Sequence, residues 1–513
     1  MSGLSILFAQ LIELLTIQNI ILLCAGSSLG IVFGALPGLT AAMGIAILTG
    51  LTYGIEPSSA IIVLMGIYVG AIYGGSISSI LVGIPGTPAA AATVLDGHPL
   101  ALRGEGKRAL SFATIASFLG TLFGMICLTV FTPLLQRVAL DFQSPEYFLL
   151  AVFGVLICGS LTSPDIPLKG WIAGFIGLAA SCVGLEGMHC YERYTFGNVS
   201  LMAGLSFIPA MIGLFGLPSI ISILSQAQEK KIIEVGKGRG ESLLKMLRGH
   251  IRHIFRSGCI GTFIGTVPGV GEDIAAWMSY DVAKRISKHP EKFGTGCYEG
   301  VVAAEVANNA AIGGSLIPVL SLAIPGSAPA AVLLGALMLH GIRPGPMLSF
   351  EFPHFVYEMS AILLLAAFTT RIFGLLACQV AVLVLKIPFF IFMPMISVIC
   401  IIGSYALEIN IYHLYVMFTF GILGYFLFIM KYPPAPMVLG MILGPLADTN
   451  FRRTLFIYNG SLDPFFSRPI AFVVDLMILY TILSQFGLFS KCYLVIKSYS
   501  AKMKSKMAKR KKK

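Results

Sequence analysis

Long apolar stretches with hardly any charge dominate this chain of 513 residues. Hydrophobic residues make up 56% of it and charged residues only 12%, whereas a soluble domain averages about 25% charged residues. Because this deficit of charge runs through the whole length, the chain is suited to a bilayer. A membrane-spanning helix needs about 20 apolar residues. The sequence therefore predicts an all-α polytopic membrane protein, with helices at 109–134, 146–162, 167–186, 200–225, 355–386, 388–407, 411–430 and 468–490.

Two further apolar regions, 18–102 and 251–341, are interrupted by glycine, proline and small polar residues, and they resemble each other. The motifs GALPG (34–38), GGS (74–76) and IPGTPAA (84–90) return in the same order as GTVPG (265–269), GGS (313–315) and IPGSAPAA (324–331), shifted by 231, 239 and 240 residues. Three motifs in one order at nearly one spacing indicate an internal duplication. Paired segments of this kind in two halves of a chain point to the binding site of a transporter.

Basic residues predict how the two halves lie in the membrane, because cytoplasmic loops collect Lys and Arg. Both loops that flank the second Pro-Gly segment, 230–256 and 281–299, are basic, so this segment should enter the membrane and return with its tip near 268–271. In the first half, loop 53–58 has no base, and the basic loop 103–108 follows only the later motif. The first hairpin should therefore open to the periplasm. We predict two inverted-topology repeats, each with a re-entrant Pro-Gly hairpin and a broken transmembrane helix.

This reading divides the chain into six parts. Region 433–467 is predicted to cross outward, although this puts Arg452 and Arg453 outside, because otherwise the final tail with its ten Lys and Arg would lie outside. The parts are an N-terminal segment 1–17, membrane repeat 1 at 18–225, a basic cytoplasmic linker at 226–257, membrane repeat 2 at 258–467, a final transmembrane helix at 468–490 and a polybasic cytoplasmic tail at 491–513.

The basic runs have a second interpretation, which is nucleic-acid binding. No aromatic interleaving and no folded polar domain accompanies either run, so we expect no nucleic-acid partner, and the tail has anionic lipid heads of the bilayer as its natural contact. The ten cysteines are scattered without zinc spacing, which predicts no metal site. There is no GxxxxGK[ST] pattern, so ATP is not expected to drive this chain directly.

Two long stretches carry a family resemblance. The sequence GGSISSILVGIPGTPAAAATVLDGHPLALRGEGKRAL (74–110) and the stretch 287–348, which contains EVANNAAIGGSLIPVLSLAIPGSAPAAVL, resemble the large permease subunit of the tripartite tricarboxylate transporters, the TctA type. The resemblance covers nearly the whole chain. It implies a bacterial inner-membrane, multi-pass permease that works with a small membrane subunit and a periplasmic solute-binding protein. It also implies uptake of citrate-like di- and tricarboxylates coupled to Na⁺ or H⁺, with no cofactor.

A carboxylate substrate needs positive potential in a low-dielectric space, where a fixed Lys or Arg is expensive. Helix N-termini supply that potential through free N–H groups, and Pro-Gly tips let the backbone approach a ligand closely. The alternative is that these small residues only allow close helix packing. The predicted substrate site consists of Pro37, Gly38, Thr40, Gly75, Ser76, Thr87, Pro268, Gly269, Gly271, Asn308, Asn309, Ser315, Gly326 and Ser327.

Three places carry ionisable groups that are candidates for ion coupling. Glu305 stands three and four residues before the two Asn, on one helix face, where it is either a cation or proton site or a hydrogen-bonded structural acid. Glu272 and Asp273 follow the second tip, as sodium ligands or as acids that favour the start of a helix. Arg371 lies midway along 355–386 and is a candidate for an ion pair or substrate contact, unless two shorter helices meet there and place it at an interface.

The sequence shows no catalytic constellation, so we expect a transporter and not an enzyme. Two other classes stay open. A membrane-embedded enzyme needs a cluster of His or acidic residues on one membrane side. A passive anion channel needs pore-lining helices but no pair of oppositely oriented hairpins.

Overall fold

The computed structural model describes residues 3–36, 38–163, 166–225, 243–385, 389–407 and 409–485, and nearly all of them are helical. The predicted tail 491–513 and the linker residues 226–242 lie outside this range. The helices of the first half are α1 (Gly3–Leu14), α2 (Ile17–Ala35), α3 (Ala41–Thr52), α4 (Pro57–Leu81), α5 (Ala91–Leu100), α6 (Gly106–Ala139), α7 (Ser144–Thr162), α8 (Pro167–Ser181), α9 (Val199–Met202), α10 (Phe207–Met211) and α11 (Leu217–Ser225).

The second half repeats much of this order. Its helices are α12 (Leu243–Gly265), α13 (Gly271–Ile286), α14 (Tyr298–Leu322), α15 (Ala328–Leu339), α16 (Leu348–Glu351), α17 (Phe355–Leu385), α18 (Phe389–Ala406), α19 (Ile411–Ile429), α20 (Pro434–Ile457), α21 (Asp463–Ser467) and α22 (Pro469–Gln485). Short 3-10 turns stand at Pro88–Ala90 and Pro290–Lys292, and π-helical turns at Ala101–Glu105 and Ile212–Gly216. Strands β1 (Gly184–Leu185) and β2 (Glu192–Arg193) form one small antiparallel ladder.

Seven helical stretches of the described chain are long and apolar enough to cross a membrane. Two of them, α4 and α14, are buried over the whole of their apolar length. A helix that is apolar all round belongs in the centre of a bundle, and these two occupy that place. This arrangement confirms an all-α polytopic membrane protein. The predicted helix 167–186 ends earlier, at Ser181, because the chain turns at Gly184 (φ +116°) into the β ladder.

The breaks predicted for the two crossing segments, 58–102 and 299–341, lie after the GGS motifs. Helix α4 continues through 74–76 and ends at Leu81, and α14 continues through 313–315 and ends at Leu322. The chain then reverses at residues with positive φ, Gly83 (+74°) and Ala323 (+58°). In the first half, the Gly86 N–H returns to the Gly75 carbonyl (3.4 Å). Each crossing helix is thus unbroken and is followed by a reversal back into the protein, from which a short helix starts.

The same backbone contacts occur in both halves, and the residue numbers of corresponding positions differ by one of two constant values. In the first half, Gly30 packs on the carbonyl of Ile67, and in the second Gly261 packs on that of Ala307. Added side chains would overlap these carbonyls, so the helices approach as closely as backbone allows. Three further contacts match between the halves in the same way. Gly34 contacts Ala71 as Gly265 contacts Ala311, Gly74 contacts Ile31 as Gly314 contacts Thr262, and Gly86 contacts Gly34 as Gly326 contacts Gly265.

These matched contacts correct the register of the sequence comparison. Residues of α2 correspond to those of α12 at a shift of 231, as predicted, but residues of α4 correspond to those of α14 at 240 and not 239. Gly74 therefore corresponds to Gly314, and Gly75 to Ser315. The sequence comparison aligned the two GGS triplets letter by letter, whereas the packing aligns the glycines that touch the partner helix.

The outer helices are exchanged between the halves. Helix α20 packs against α7 and α8 of the first half, while α10 and α11 pack against α19 of the second and α11 also packs against α18. Gly177 of α8 contacts the backbone at Met437 in α20, and Gly213 contacts the backbone at Met417 in α19. Each half therefore completes the packing of the other.

Candidate functional site

All four chain reversals meet at one cavity of 540 Å³ between the halves. This volume lies within the range of small-molecule sites, about 300–1,000 Å³. The cavity extends outward to the ends of α7, α11 and α19, where Thr162, Ser222 and Tyr432 line it. Six residues of the predicted substrate site also line it, namely Gly38, Thr40, Thr87, Gly269, Gly271 and Ser327, together with the predicted coupling residue Asp273.

Three helices begin at the cavity wall. Ala41 is the first residue of α3, Gly271 of α13 and Ala328 of α15, and all three line the cavity. The first four N–H groups of a helix have no intrahelical acceptor and carry a partial positive charge. Among the described lining residues there is no Lys, Arg or His, so the positive potential comes from backbone groups.

Two of the predicted polar side chains cap these helices. Thr40 Oγ1 accepts the Met43 N–H, and Ser327 Oγ accepts the Ala330 N–H, each at 3.2 Å. Both residues therefore hold a helix start in place beside the cavity. Thr87 Oγ1, by contrast, is buried and has no hydrogen-bond partner within the described part of the chain.

The second Pro-Gly tip is more enclosed than the first. Its Gly269 has φ +74° and donates its N–H to the Pro325 carbonyl at 3.3 Å, so this N–H is already occupied. Gly38 of the first tip has φ +91° and is exposed toward the cavity. The N–H groups available to a ligand are thus those of the first helix turns that Thr40 and Ser327 leave uncapped, and not that of Gly269.

Two acids distinguish the second tip from the first. Glu272 and Asp273 lie in the first turn of α13. The equivalent positions of α3, in the other half, are occupied by Ala41 and Ala42. Glu272 is buried and accepts a hydrogen bond from the buried Tyr68 hydroxyl, which also lies 2.8 Å from Ser327 Oγ. Asp273 is exposed toward the cavity. The wall of the cavity is therefore acidic on one side and formed by helix starts and small residues on the other.

Glu305 lies behind the cavity wall. It is fully buried in α14 and accepts hydrogen bonds from Thr93 and, at 2.9 Å, from Ser117. Asn308 donates to the Ala89 carbonyl at 3.2 Å, and Ala89 lines the cavity. Asn309 donates to Asn308 Oδ1 at 2.7 Å. This polar cluster is thereby linked to the first reversal without facing the cavity itself.

The other predicted site residues lie near the cavity or away from it. Gly75, Ser315 and Gly326 are buried where the reversals pack on α4 and α14, as the packing interpretation of these residues requires, and Ser76 is buried within α4. Pro268 stands beside Gly154, and Pro37 lies outside the described residues. Arg371 is within the unbroken helix α17 and not at a meeting of two helices, and it does not line the cavity.

Sequence reasoning missed the partners of the two buried acids. Tyr68, Thr93 and Ser117 stand in apolar stretches as isolated polar residues. The signal that was available is the presence of a hydroxyl inside a helix that is otherwise apolar, because a buried polar group needs a partner. What the sequence does not show is which acid each hydroxyl reaches.

Comparisons with known proteins agree on one family. The model of the tripartite tricarboxylate transporter TctA family matches residues 20–439. A protein of Agrobacterium vitis, described as an uncharacterized 52.8 kDa protein in the TAR-I ttuC' 3' region, is 36% identical over 460 residues, which is 89% of this chain and 91% of that protein. A second, from the TAR-II ttuC' 3' region, is 37% identical over 211 residues, 41% of this chain and 87% of its own length. No solved structure matches.

Proposed function

This chain belongs to the tripartite tricarboxylate transporter TctA family, and from that membership we propose that it is a secondary active permease for the uptake of small di- and tricarboxylates. It is a multi-pass membrane protein, and the proposal places it in the bacterial inner membrane. A periplasmic solute-binding protein delivers the substrate, a small membrane subunit completes the complex, and an ion gradient drives transport.

The observation that carries this proposal is the convergence of three helix starts on a 540 Å³ cavity lined mainly by apolar and small residues. Helix N-termini bind carboxylates without a buried cationic side chain. The cavity is large enough for a ligand of citrate size and is bordered by both duplicated segments. Its location between the halves is the one found in transporters built from repeats.

The cavity faces the cytoplasm in this conformation. It reaches the ends of α7, α11 and α19, and the basic sequence that follows α11 supports a cytoplasmic location of these ends. We therefore assign the structure to an inward-facing state. Uptake then requires a second state in which the same cavity opens to the periplasm.

The unlike tips divide the cavity into an anion side and a cation side. A carboxylate belongs near the starts of α3 and α15, because Asp273 would repel it at the start of α13. Two like charges about 5 Å apart repel by roughly 3 kcal/mol at an effective dielectric constant of about 20. A Na⁺ ion or a proton at Asp273 removes this repulsion, which couples the cation to the substrate.

Glu305 is the second candidate for the coupling ion. No described Lys or Arg forms an ion pair with it, and an isolated charge in the interior of a membrane protein is expensive. The hydroxyls of Thr93 and Ser117 and the amides of Asn308 and Asn309 offer oxygen ligands of the kind that hard cations prefer. The hydrogen bond from Asn308 to the Ala89 carbonyl would transmit occupancy of this cluster to the cavity.

The proposal is tested by uptake of labelled di- and tricarboxylates into proteoliposomes with an imposed Na⁺ gradient, an imposed H⁺ gradient or neither. The complete three-part system should show saturable uptake that one gradient accelerates, whereas this chain alone should transport poorly. Uptake that no gradient changes would identify a passive channel instead. Robust uptake by the isolated chain would contradict the need for partners.

A matched pair of variants tests the coupling residue. Asp273→Asn should reduce the acceleration by the gradient. Asp281→Asn, on the same helix but outside the cavity lining and paired with Arg285 at 2.8 Å, should leave it unchanged. Equal responses of the two variants to the gradient would assign coupling to another group, of which Glu305→Gln is the next test.

A further inference from the structure

We propose that a second carboxylate site lies around Arg453, on the periplasmic side of an apolar layer that closes the transport path. This inference rests on the proposed uptake function. It concerns a pocket of 510 Å³ that is separate from the central cavity. Arg453, Asn450, Tyr147, Ser144, Ala323 and Leu446 are among the residues that line it.

Arg453 is the feature of this pocket that favours an anion. It is exposed and has no ion-pair partner among the described residues. The arginines around it differ: Arg452 pairs with Asp448 at 2.9 Å, and Arg193 pairs with the same carboxylate at 3.0 Å. Arg468 pairs with Glu146.

The pocket lining adds no opposing charge. No Asp or Glu stands among its described lining residues. Arg453 is thus an uncompensated cation in a concave, partly polar site. A guanidinium binds carboxylates with two parallel hydrogen bonds, which is the chemistry that a di- or tricarboxylate offers.

The ends of two helices put this pocket on the side opposite to the mouth of the central cavity. It lies at the start of α7 and the end of α20, whereas the cavity reaches the end of α7 and the start of α20. The two spaces therefore stand at opposite ends of the same two helices. With the cavity facing the cytoplasm, the pocket faces the periplasm.

A thin apolar layer separates the two spaces. Ala323 lines the pocket and Ser327 lines the cavity, so only residues 324–326 of the second reversal lie between them. Leu443, Pro268 and Ile324 surround Gly154 at this level, within 3.1 to 4.0 Å of the position that a Cβ on Gly154 would take. Val155, Cys158 and Leu439 belong to the same buried cluster.

This layer has the properties of a closed gate. A carboxylate cannot enter packed apolar side chains without losing its hydration. Three residues of extended chain span at most about 10 Å, so a small displacement of the second reversal or of α20 would join the pocket to the cavity. Arg453 then holds the substrate at the outer face of the gate until this displacement occurs.

The anion site is tested by uptake kinetics of the complete three-part system with Arg453→Gln, Arg453→Lys and Arg343→Gln. Arg343 is an exposed arginine next to the pocket residue Pro344 but does not line the pocket, so its variant removes the same charge as a control. Arg453→Gln should raise the KM for the carboxylate about tenfold or more, as the loss of a hydrogen bond to a charged group predicts, with little change in the maximal rate. Arg453→Lys should recover part of the loss, and Arg343→Gln should resemble the wild type.

The gate is tested with the native Cys158, which is fully buried in the layer. A membrane-impermeant thiol reagent is added from the periplasmic side, and modification of each cysteine is measured by mass spectrometry. Cys158 should react only when substrate and gradient are present, while the exposed Cys190 should react always and so report access.

The outcomes separate this inference from the proposed function. A wild type that shows no saturable carboxylate uptake refutes the function. A functional wild type in which Arg453→Gln and Arg343→Gln have equal KM refutes the outer site. Cys158 that stays unmodified during turnover while Cys190 reacts refutes the gate. If Arg453→Gln fails to fold, the KM of Arg453→Lys and the labelling of Cys158 still decide the question.

Discussion

Replacement of Gly269 by alanine tests whether the second tip needs both its backbone conformation and its close packing. Gly269 has φ +74°, and a non-glycine residue there costs roughly 1–2 kcal/mol. The new methyl group would also overlap the side chain of Cys158 in α7, and overpacking of this kind costs typically about 1–3 kcal/mol. The two effects together predict a destabilisation of roughly 2–5 kcal/mol.

The same change at the first tip should cost less. Gly38 has φ +91° but is exposed toward the cavity, so Gly38→Ala should carry mainly the conformational cost. Thr40→Ala removes the cap on the Met43 N–H, which costs typically about 1 kcal/mol. We expect thermal stability in detergent to fall most for Gly269→Ala, and uptake to fall more for either glycine variant than for Thr40→Ala.

A double-mutant cycle separates the steric cost from the conformational cost. Cys158→Ala removes the sulfur, and Cys158→Gly also removes the Cβ that the new methyl group would overlap. Stability of Gly269→Ala should therefore recover stepwise in the Cys158→Ala and Cys158→Gly backgrounds, relative to each background alone, until about 1–2 kcal/mol of conformational cost remains. Strictly additive effects at these two positions would refute the contact and with it the enclosed second tip.

Three further predictions follow from the proposed orientation of the halves and from the contacts of Glu146 and Glu186. Single cysteines at Glu56 and Lys288 should lie on opposite membrane sides, so labelling of both by an impermeant reagent from the periplasm would contradict inverted repeats. Arg468→Ala leaves the fully buried Glu146 without its ion-pair partner and should destabilise the protein by about 3–5 kcal/mol. Thermal unfolding measures this loss, with Arg468→Lys as the control, and an unchanged melting temperature would refute the role of this pair. Burial raises the pKa of Glu186, but the N–H groups of His189 and Met188 and the charge of Arg452 outweigh this effect and hold the pKa below its ordinary range. The ionised Glu186 therefore stabilises the fold fully above about pH 5, and this stabilisation is lost as the pH falls below about 4. The melting temperature of Glu186→Gln should accordingly depend less on pH in this range than that of the wild type.

Much of the fold can be read from the sequence because it depends on local composition. Apolar stretches of about 20 residues determine that the chain enters a membrane, and glycine and proline determine where helices end. The reversals around Gly38 and at 82–87, 266–270 and 323–327 all occur in the regions that the sequence marked as interrupted. Their convergence was also expected, since the duplication placed them in equivalent positions in the two halves.

The register of the duplication and the roles of single residues were decided by packing. The two GGS triplets correspond with a displacement of one residue, because the glycine that faces the partner helix, and not the letter pattern, determines the contact. Likewise, Thr40 and Ser327 serve as helix caps, and the N–H of Gly269 is occupied by Pro325. A sequence motif identifies a turn, but it does not show which of its polar groups remain free.

Only the tertiary structure brings together groups that are distant along the chain. Tyr68 meets Glu272, and Thr93 meets Glu305, across more than 200 residues in each case. The separation of Arg453 from its paired neighbours and its position on one side of the apolar layer likewise depend on how α7, α14 and α20 pack. The physical reason is that hydrophobic burial, which the sequence records, has no direction, whereas a hydrogen bond or an ion pair requires two particular atoms within about 3 to 4 Å.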